Sequence, residues 1–214
     1  MEYIFSLIPS MVEGLGVTLE VFAITLVLSI PLGIIVALAR LSEIKILRVI
    51  SSSYIYIMRG TPLLLQLVVI FFGFPILNIS LERFTAAIIA FVFNYTAYFA
   101  EIFRGGIKDI DEGQYEAAEV LGFSKIYTLR KILIPQMIKK VLPSVTNEVI
   151  TLVKDTSLIY VVGISELLRV GKIASNRDTS LIPLFLVGAI YLAIIAILSK
   201  LLSGIETKYT HYKS

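Results

Sequence analysis

The residues best suited to chemistry in this 214-residue chain are carboxylates, hydroxyls and amides set inside apolar runs. Glu148, Thr151 and Asp155 stand at i, i+3 and i+7, so on a helix they share one face. Two carboxylates and a hydroxyl on one face suit a guanidinium or an ammonium, held by charge-assisted hydrogen bonds. In another apolar run Asn94, Tyr98 and Glu101 stand at i, i+4 and i+7, and Asn94 and Tyr98 offer hydrogen bonds to a carboxylate or an amine. Each of these positions also has a structural reading. Lys154 is placed to pair with Asp155 or with a neighbouring chain, Arg104 to pair with Glu101, and Asn94 and Tyr98 to tie helix to helix at about 0.6–2 kcal/mol per bond. Glu148 has no cation beside it in sequence, and a carboxylate inside an apolar run needs a partner from elsewhere, which makes it the strongest single site.

Other chemistries are missing their parts. There is no cysteine, which excludes disulfides, thiolate nucleophiles and thiolate metal ligation. The single histidine, His211, lies in the polar tail and cannot assemble a histidine metal cluster or a catalytic triad. No G-x-x-x-x-G-K-[ST] segment is present to cradle phosphates. Asn78-Ile79-Ser80 and Asn94-Tyr95-Thr96 fit the glycosylation pattern, but the second lies inside an apolar run and both are set aside. No enzyme active site and no metal site emerge.

The elements that must position these residues are membrane helices. The chain is 57% hydrophobic and 16% charged, with a mean hydropathy of +0.88, too apolar for a soluble domain. An all-α integral membrane protein is expected. A span needs roughly 20 mostly apolar residues. Five segments qualify: about 17–39, 53–77, 84–103, 142–167 and 181–202. The N-terminal stretch has no basic cluster ahead of its apolar run, so the first span is expected to be retained rather than cleaved. The second span is interrupted near its start by Arg59, Gly60, Thr61 and Pro62, where proline removes a donor and disfavours helix at the residue before it. A bend is expected there. Arg59 suits either a gate or snorkelling to an interface, and Glu20 is read as interfacial. Ala86, Ala87, Ala90, Ala97 and Ala100, with Ala189 and Ala193, form small-residue faces for close packing, within the chain or at a dimer contact.

Basic residues set the orientation. With the N-terminus outside, thirteen fall on the inner side: Arg40, Lys45, Arg48, Arg104, Lys108, Lys125, Arg130, Lys131, Lys139, Lys140, Lys200, Lys208 and Lys213. Four fall outside: Arg83, Arg169, Lys172 and Arg177. The N-terminus is expected outside and the C-terminus in the cytoplasm. No repeat, linker or large outer loop is visible, so residues 1–214 read as one transmembrane domain with a cytoplasmic loop over 104–140.

Within that loop, Tyr115 to Leu121 favour a short helix and Gly122 is placed to end it. Ala117 and Ala118 allow close approach by another surface, and Leu121 and Phe123 are candidate apolar anchors; a solvated connecting helix explains the same spacing. Glu116, Ala117, Ala118, Gly122, Ile132, Ile134 and Pro135 form E-A-A, three residues, G, nine residues, I-x-I-P. This resembles the cytoplasmic signature of permease subunits of binding-protein-dependent ABC importers, departing only where isoleucine replaces leucine. The segments MRGTPLLLQL (58–67), AYFAEIFRGGI (97–107) and LVKDTSL (152–158) are similar to its polar amino acid branch.

The resemblance implies the type I (MetI-like) permease fold, two permease chains, identical or closely related, two cytoplasmic ATPase subunits and an extracellular or periplasmic solute-binding protein, in the plasma or inner membrane of a prokaryote. ATP and magnesium are then bound by the ATPases, with no cofactor on this chain. Glu116, Ala117, Ala118 and Gly122 couple the ATPase to the membrane helices, and Glu148, Thr151, Asp155, Asn94 and Tyr98 receive the cargo. A cationic amino acid fits the carboxylates; glutamine and other neutral or acidic amino acids are the alternative cargoes. Competing functions are an ion-gradient-driven carrier using the intramembrane carboxylates and a membrane scaffold using the basic loop.

Overall fold

The computed structural model of the chain describes residues 2–210, and these are helical with short connections. Helix α1 (Glu2–Leu41) is 40 residues long. At 1.5 Å per residue it is about 60 Å, roughly twice the hydrocarbon thickness of a bilayer. Its buried residues recur every three or four positions and are mostly small: Gly14, Thr18, Thr25, Ser29, Gly33 and Ala37. Small residues let helices approach closely where no water drives them together. A Cβ on Gly33 would lie 2.7 Å from Cβ of Phe99, so only glycine permits this crossing.

Helix α2 (Lys45–Gly60) and helix α3 (Leu63–Val68) meet at the predicted break. Thr61 and Pro62 are extended, and the two halves of the span bend by 103°. From α3 the chain continues as a π-helical turn (Val69–Gly73) and a 3-10 turn (Phe74–Leu77). Helix α4 (Arg83–Lys108) is the centre of the molecule. It makes its most extensive contact with α1, and Phe91, Tyr95, Phe99 and Phe103 stack along its inner face at centroid spacings of 6.4, 6.4 and 6.2 Å. Ala86, Ala87, Ala90, Ala97 and Ala100 are completely buried inside the chain, which leaves none of them for a dimer contact, whereas Ala189 and Ala193 are exposed.

The basic loop holds α5 (Glu112–Val120) and α6 (Lys125–Tyr127), and a π-helical turn (Thr128–Leu133) leads into α7 (Ile134–Asp155). Helix α8 (Leu167–Asp178) and helix α9 (Ile182–Thr210) complete the chain. The expected span 142–167 is not one helix. Helix α7 starts earlier and gives way after Asp155 to a 3-10 turn (Thr156–Val162) ending at Gly163 in the left-handed region. Among the described residues three helices are long and apolar enough to cross a membrane, or four if the bent α2–α3 pair counts as one span. Phe185, Leu192, Ile197 and Leu201 on α9 are exposed, an apolar face suited to lipid. His211 and Lys213 lie outside the described residues.

Candidate functional site

The carboxylate face forms as the spacing predicts. Helix α7 crosses α4, and between them and the start of α3 opens a cleft of about 320 Å³. Asn94, Tyr98, Glu148, Thr151 and Asp155 all line it. Glu148 has no hydrogen-bond or ion-pair partner among the described residues. Thr151 donates to the carbonyl of Asn147 at 3.0 Å, leaving its oxygen lone pairs toward other donors.

Asp155 forms no ion pair with Lys154. Its Oδ2 instead accepts from the phenol of Tyr95 on α4 at 2.8 Å. Tyr95 is 1% exposed and belongs to the aromatic stripe of α4. The sequence reading missed it, although a tyrosine in a core stripe needs a partner for its hydroxyl, and that need was the available signal.

The wall formed by the α2–α3 break is built from a second overlooked residue. Pro62 has no N–H, so the carbonyl of Met58 four residues earlier loses its helical donor. Gln66 Nε2 donates to that carbonyl at 2.9 Å and to Oγ1 of Thr61 at 2.8 Å. Asn94 Nδ2 donates to the same Met58 carbonyl at 3.0 Å and to Oε1 of Gln66 at 3.1 Å. The amide hydrogens of Asn94 are therefore engaged in bracing the break from across the cleft, and the Asn94 side chain is 4% exposed. Gln66, a lone polar residue four positions after Pro62, was legible as such a brace. Tyr98 stacks under Arg59, whose guanidinium carbon lies 5.3 Å from the ring centroid. Glu101 forms the expected ion pair with Arg104, with Nε of Arg104 donating to Oε2 at 2.8 Å and a second contact to Oε1.

A third missed residue lies at the far end. Glu166 is completely buried, and its carboxylate accepts from the backbone N–H groups of Leu168 and Arg169 at 2.6 Å each and from the phenol of Tyr191 at 3.2 Å. It caps α8 and ties it to α9.

The loop motif is a capped knob. Asp111 caps α5 by accepting from the N–H of Gly113 at 2.8 Å. Gly122 ends it at φ +69°, and Phe123 N–H bonds to the Ala118 carbonyl at 3.0 Å while Gly122 N–H bonds to that of Glu119 at 2.9 Å. This is the Schellman arrangement, which needs a left-handed residue where glycine stands. Glu116 and Ala117 are exposed, but Ala118 is buried beneath the helix. Val120, Leu121, Phe123 and Ile126 are exposed, a set of apolar side chains in an otherwise polar loop.

Residues 29–208 match the family described as binding-protein-dependent transport system inner membrane components. The chain belongs to this family. As such a permease it is a membrane transport component and not an enzyme, and permeases of this kind work with ATPase subunits and a binding protein. It is 35% identical over 203 residues to the arginine transport system permease protein ArtQ of Bacillus subtilis (strain 168), covering 94% of this chain and 93% of that one. It is equally 35% identical over 198 residues to the putative glutamine transport system permease protein GlnP of Rickettsia prowazekii (strain Madrid E), covering 92% and 91%. A solved structure described as an amino acid ABC transporter with histidines superimposes with a TM-score of 0.90 at 35% identity, covering 96% of this permease and 97% of that chain. The permease has the type I (MetI-like) fold.

Proposed function

We propose that this permease carries cationic amino acids, such as arginine, lysine or histidine, in an ATP-driven importer. One observation supports the reading above all: Glu148 and Asp155 line one cleft, and neither meets a cation within ion-pair distance among the described residues. Two carboxylates with no such cation favour a cargo that brings its own positive charge. The cargo set is Glu148, Thr151, Asp155, Asn94 and Tyr98, with Asn94 acting through the wall it braces. The likeness to ArtQ supports this cargo; the equal likeness to GlnP supports glutamine as the second reading.

In the proposed arrangement the chain is one transmembrane domain over 1–214, crosses five times, and has its N-terminus outside and its C-terminus inside. The fourth crossing runs through α7 and the 3-10 turn after it. The chain pairs with a second copy or a close relative, because one chain encloses only part of a pathway. Two ATPase subunits, carrying ATP and magnesium, seat on the knob at Glu116, Ala117, Ala118 and Gly122 within the loop 104–140, and an external solute-binding protein delivers the amino acid.

The test is uptake by the reconstituted complex with labelled arginine and labelled glutamine. Arginine uptake is expected in the wild type, and Glu148→Gln is expected to weaken arginine about tenfold while leaving glutamine unchanged. Equal effects on both cargoes, or uptake of glutamine alone, would overturn the cationic reading.

A further inference from the structure

Three clefts join end to end beside the α2–α3 break. The cleft containing Asp155 shares Tyr98 and Glu148 with a second, of about 510 Å³, that reaches Asp109 and Lys140. The second shares Arg59 and Glu101 with a third, of about 390 Å³, lined also by Arg40, Ser52 and Tyr56. The sign of charge reverses along this line. Glu148 and Asp155 stand at one end, Arg104 neutralises Glu101 in the middle, and Arg40 and Arg59 face the third cleft.

Arg59 occupies the junction. It is exposed, makes no ion pair among the described residues, and rests on the face of Tyr98. It is also the last arginine before the break, where Thr61 and Pro62 are extended and Gln66 and Asn94 brace the Met58 carbonyl, so the Arg59 side chain moves on a fixed backbone. Lys45, Arg48, Ser52, Tyr56 and Arg59 stand at i, i+3, i+7, i+11 and i+14 on α2, a polar stripe that leads from the basic end of the helix to this junction.

We propose that Arg59 is an electrostatic check on the return of cargo: its guanidinium, parked on Tyr98 between the acidic cleft and the inner vestibule, repels cations that approach from the cytoplasm. The inference rests on the cationic reading and on the inward placement of Lys45. A cation leaving Glu148 and Asp155 passes only when the Arg59 side chain leaves the face of Tyr98. A cation approaching Glu148 from the cytoplasm by the second or the third cleft passes Arg59, which lines both. A neutral amino acid feels neither barrier, so the check is selective by charge.

The experiment uses the whole complex in proteoliposomes, with binding protein outside, ATP inside, and increasing unlabelled arginine in the lumen. Import of labelled arginine is measured. Arg59→Gln is expected to lower by about tenfold the luminal arginine concentration that halves import, and Arg59→Lys to restore the wild-type value. Luminal glutamine is expected to act identically on both. Arg59→Met, of similar length without charge, is expected to behave as Arg59→Gln and serves if that variant does not assemble with the ATPase. Unchanged half-inhibition in the neutral variants, or an equal shift for luminal glutamine, would overturn the check while leaving the cargo reading intact. A wild-type complex that imports no arginine would overturn both.

Discussion

The phenol of Tyr95 donates to the carboxylate of Asp155 at 2.8 Å, across the contact between α4 and α7. The two residues are 60 positions apart, and their bond fixes the helix that carries the carboxylates to the helix at the centre of the fold. It also explains how Asp155 is held without a close ion pair to Lys154.

Tyr95→Phe keeps the ring and removes the donor. A hydrogen bond to a charged group contributes about 1.5–3 kcal/mol, and a chain of this size shifts by about 2–4 °C per kcal/mol. Thermal melting of the purified complex is expected to fall by several degrees. In a double-mutant cycle Asp155→Asn should add little to Tyr95→Phe, because both remove one bond. Additive losses would show that the bond does not couple α4 to α7.

At the knob, Gly122 sits at φ +69°, where a side chain costs about 1–2 kcal/mol. Gly122→Val is expected to fray α5 locally while the membrane helices keep their fold, since the capping bonds to Ala118 and Glu119 are confined to the loop. Ala117→Phe places bulk on the exposed side of the same helix. Both variants should purify with an unchanged melting temperature of the permease and lose cargo-stimulated ATP hydrolysis. Full stimulation in both would remove the knob from the coupling path.

The start of α1 and the end of α8 share a pH-dependent tie. Asp178 accepts from Arg177 Nε at 2.7 Å and from the phenol of Tyr3 at 2.7 Å, and these bonds, that from Arg177 foremost, hold its carboxyl down at about 2. A depressed carboxyl stabilises the fold above its unfolded value, about 3.9, and that contribution is lost as pH falls from there toward about 2. The link between the start of α1 and the end of α8 is therefore expected to loosen only below about pH 4. Melting temperature followed from pH 6 to pH 2 should fall more steeply at the acid end for the wild type than for Asp178→Asn. Parallel curves would show that the tie contributes nothing.

Much of this was legible in local sequence because the causes are local. Apolar run lengths mark α1, α4 and α9 as spans, the Arg59 to Pro62 break follows from proline chemistry, and the i, i+3, i+7 spacing of Glu148, Thr151 and Asp155 needs only a helix to put them on one face. Gly122 as a helix terminator and the Glu101–Arg104 pair are of the same kind. Tertiary structure alone decided what faces those residues. That Tyr95 meets Asp155, that Asn94 and Gln66 brace the Met58 carbonyl, that Glu166 is buried under Tyr191, and that the α4 alanines are filled by α1 all depend on which helix crosses which. Helical periodicity determines a side chain's direction around its own axis, but the partner across the gap is set by packing between segments far apart in the chain, and no local pattern encodes it.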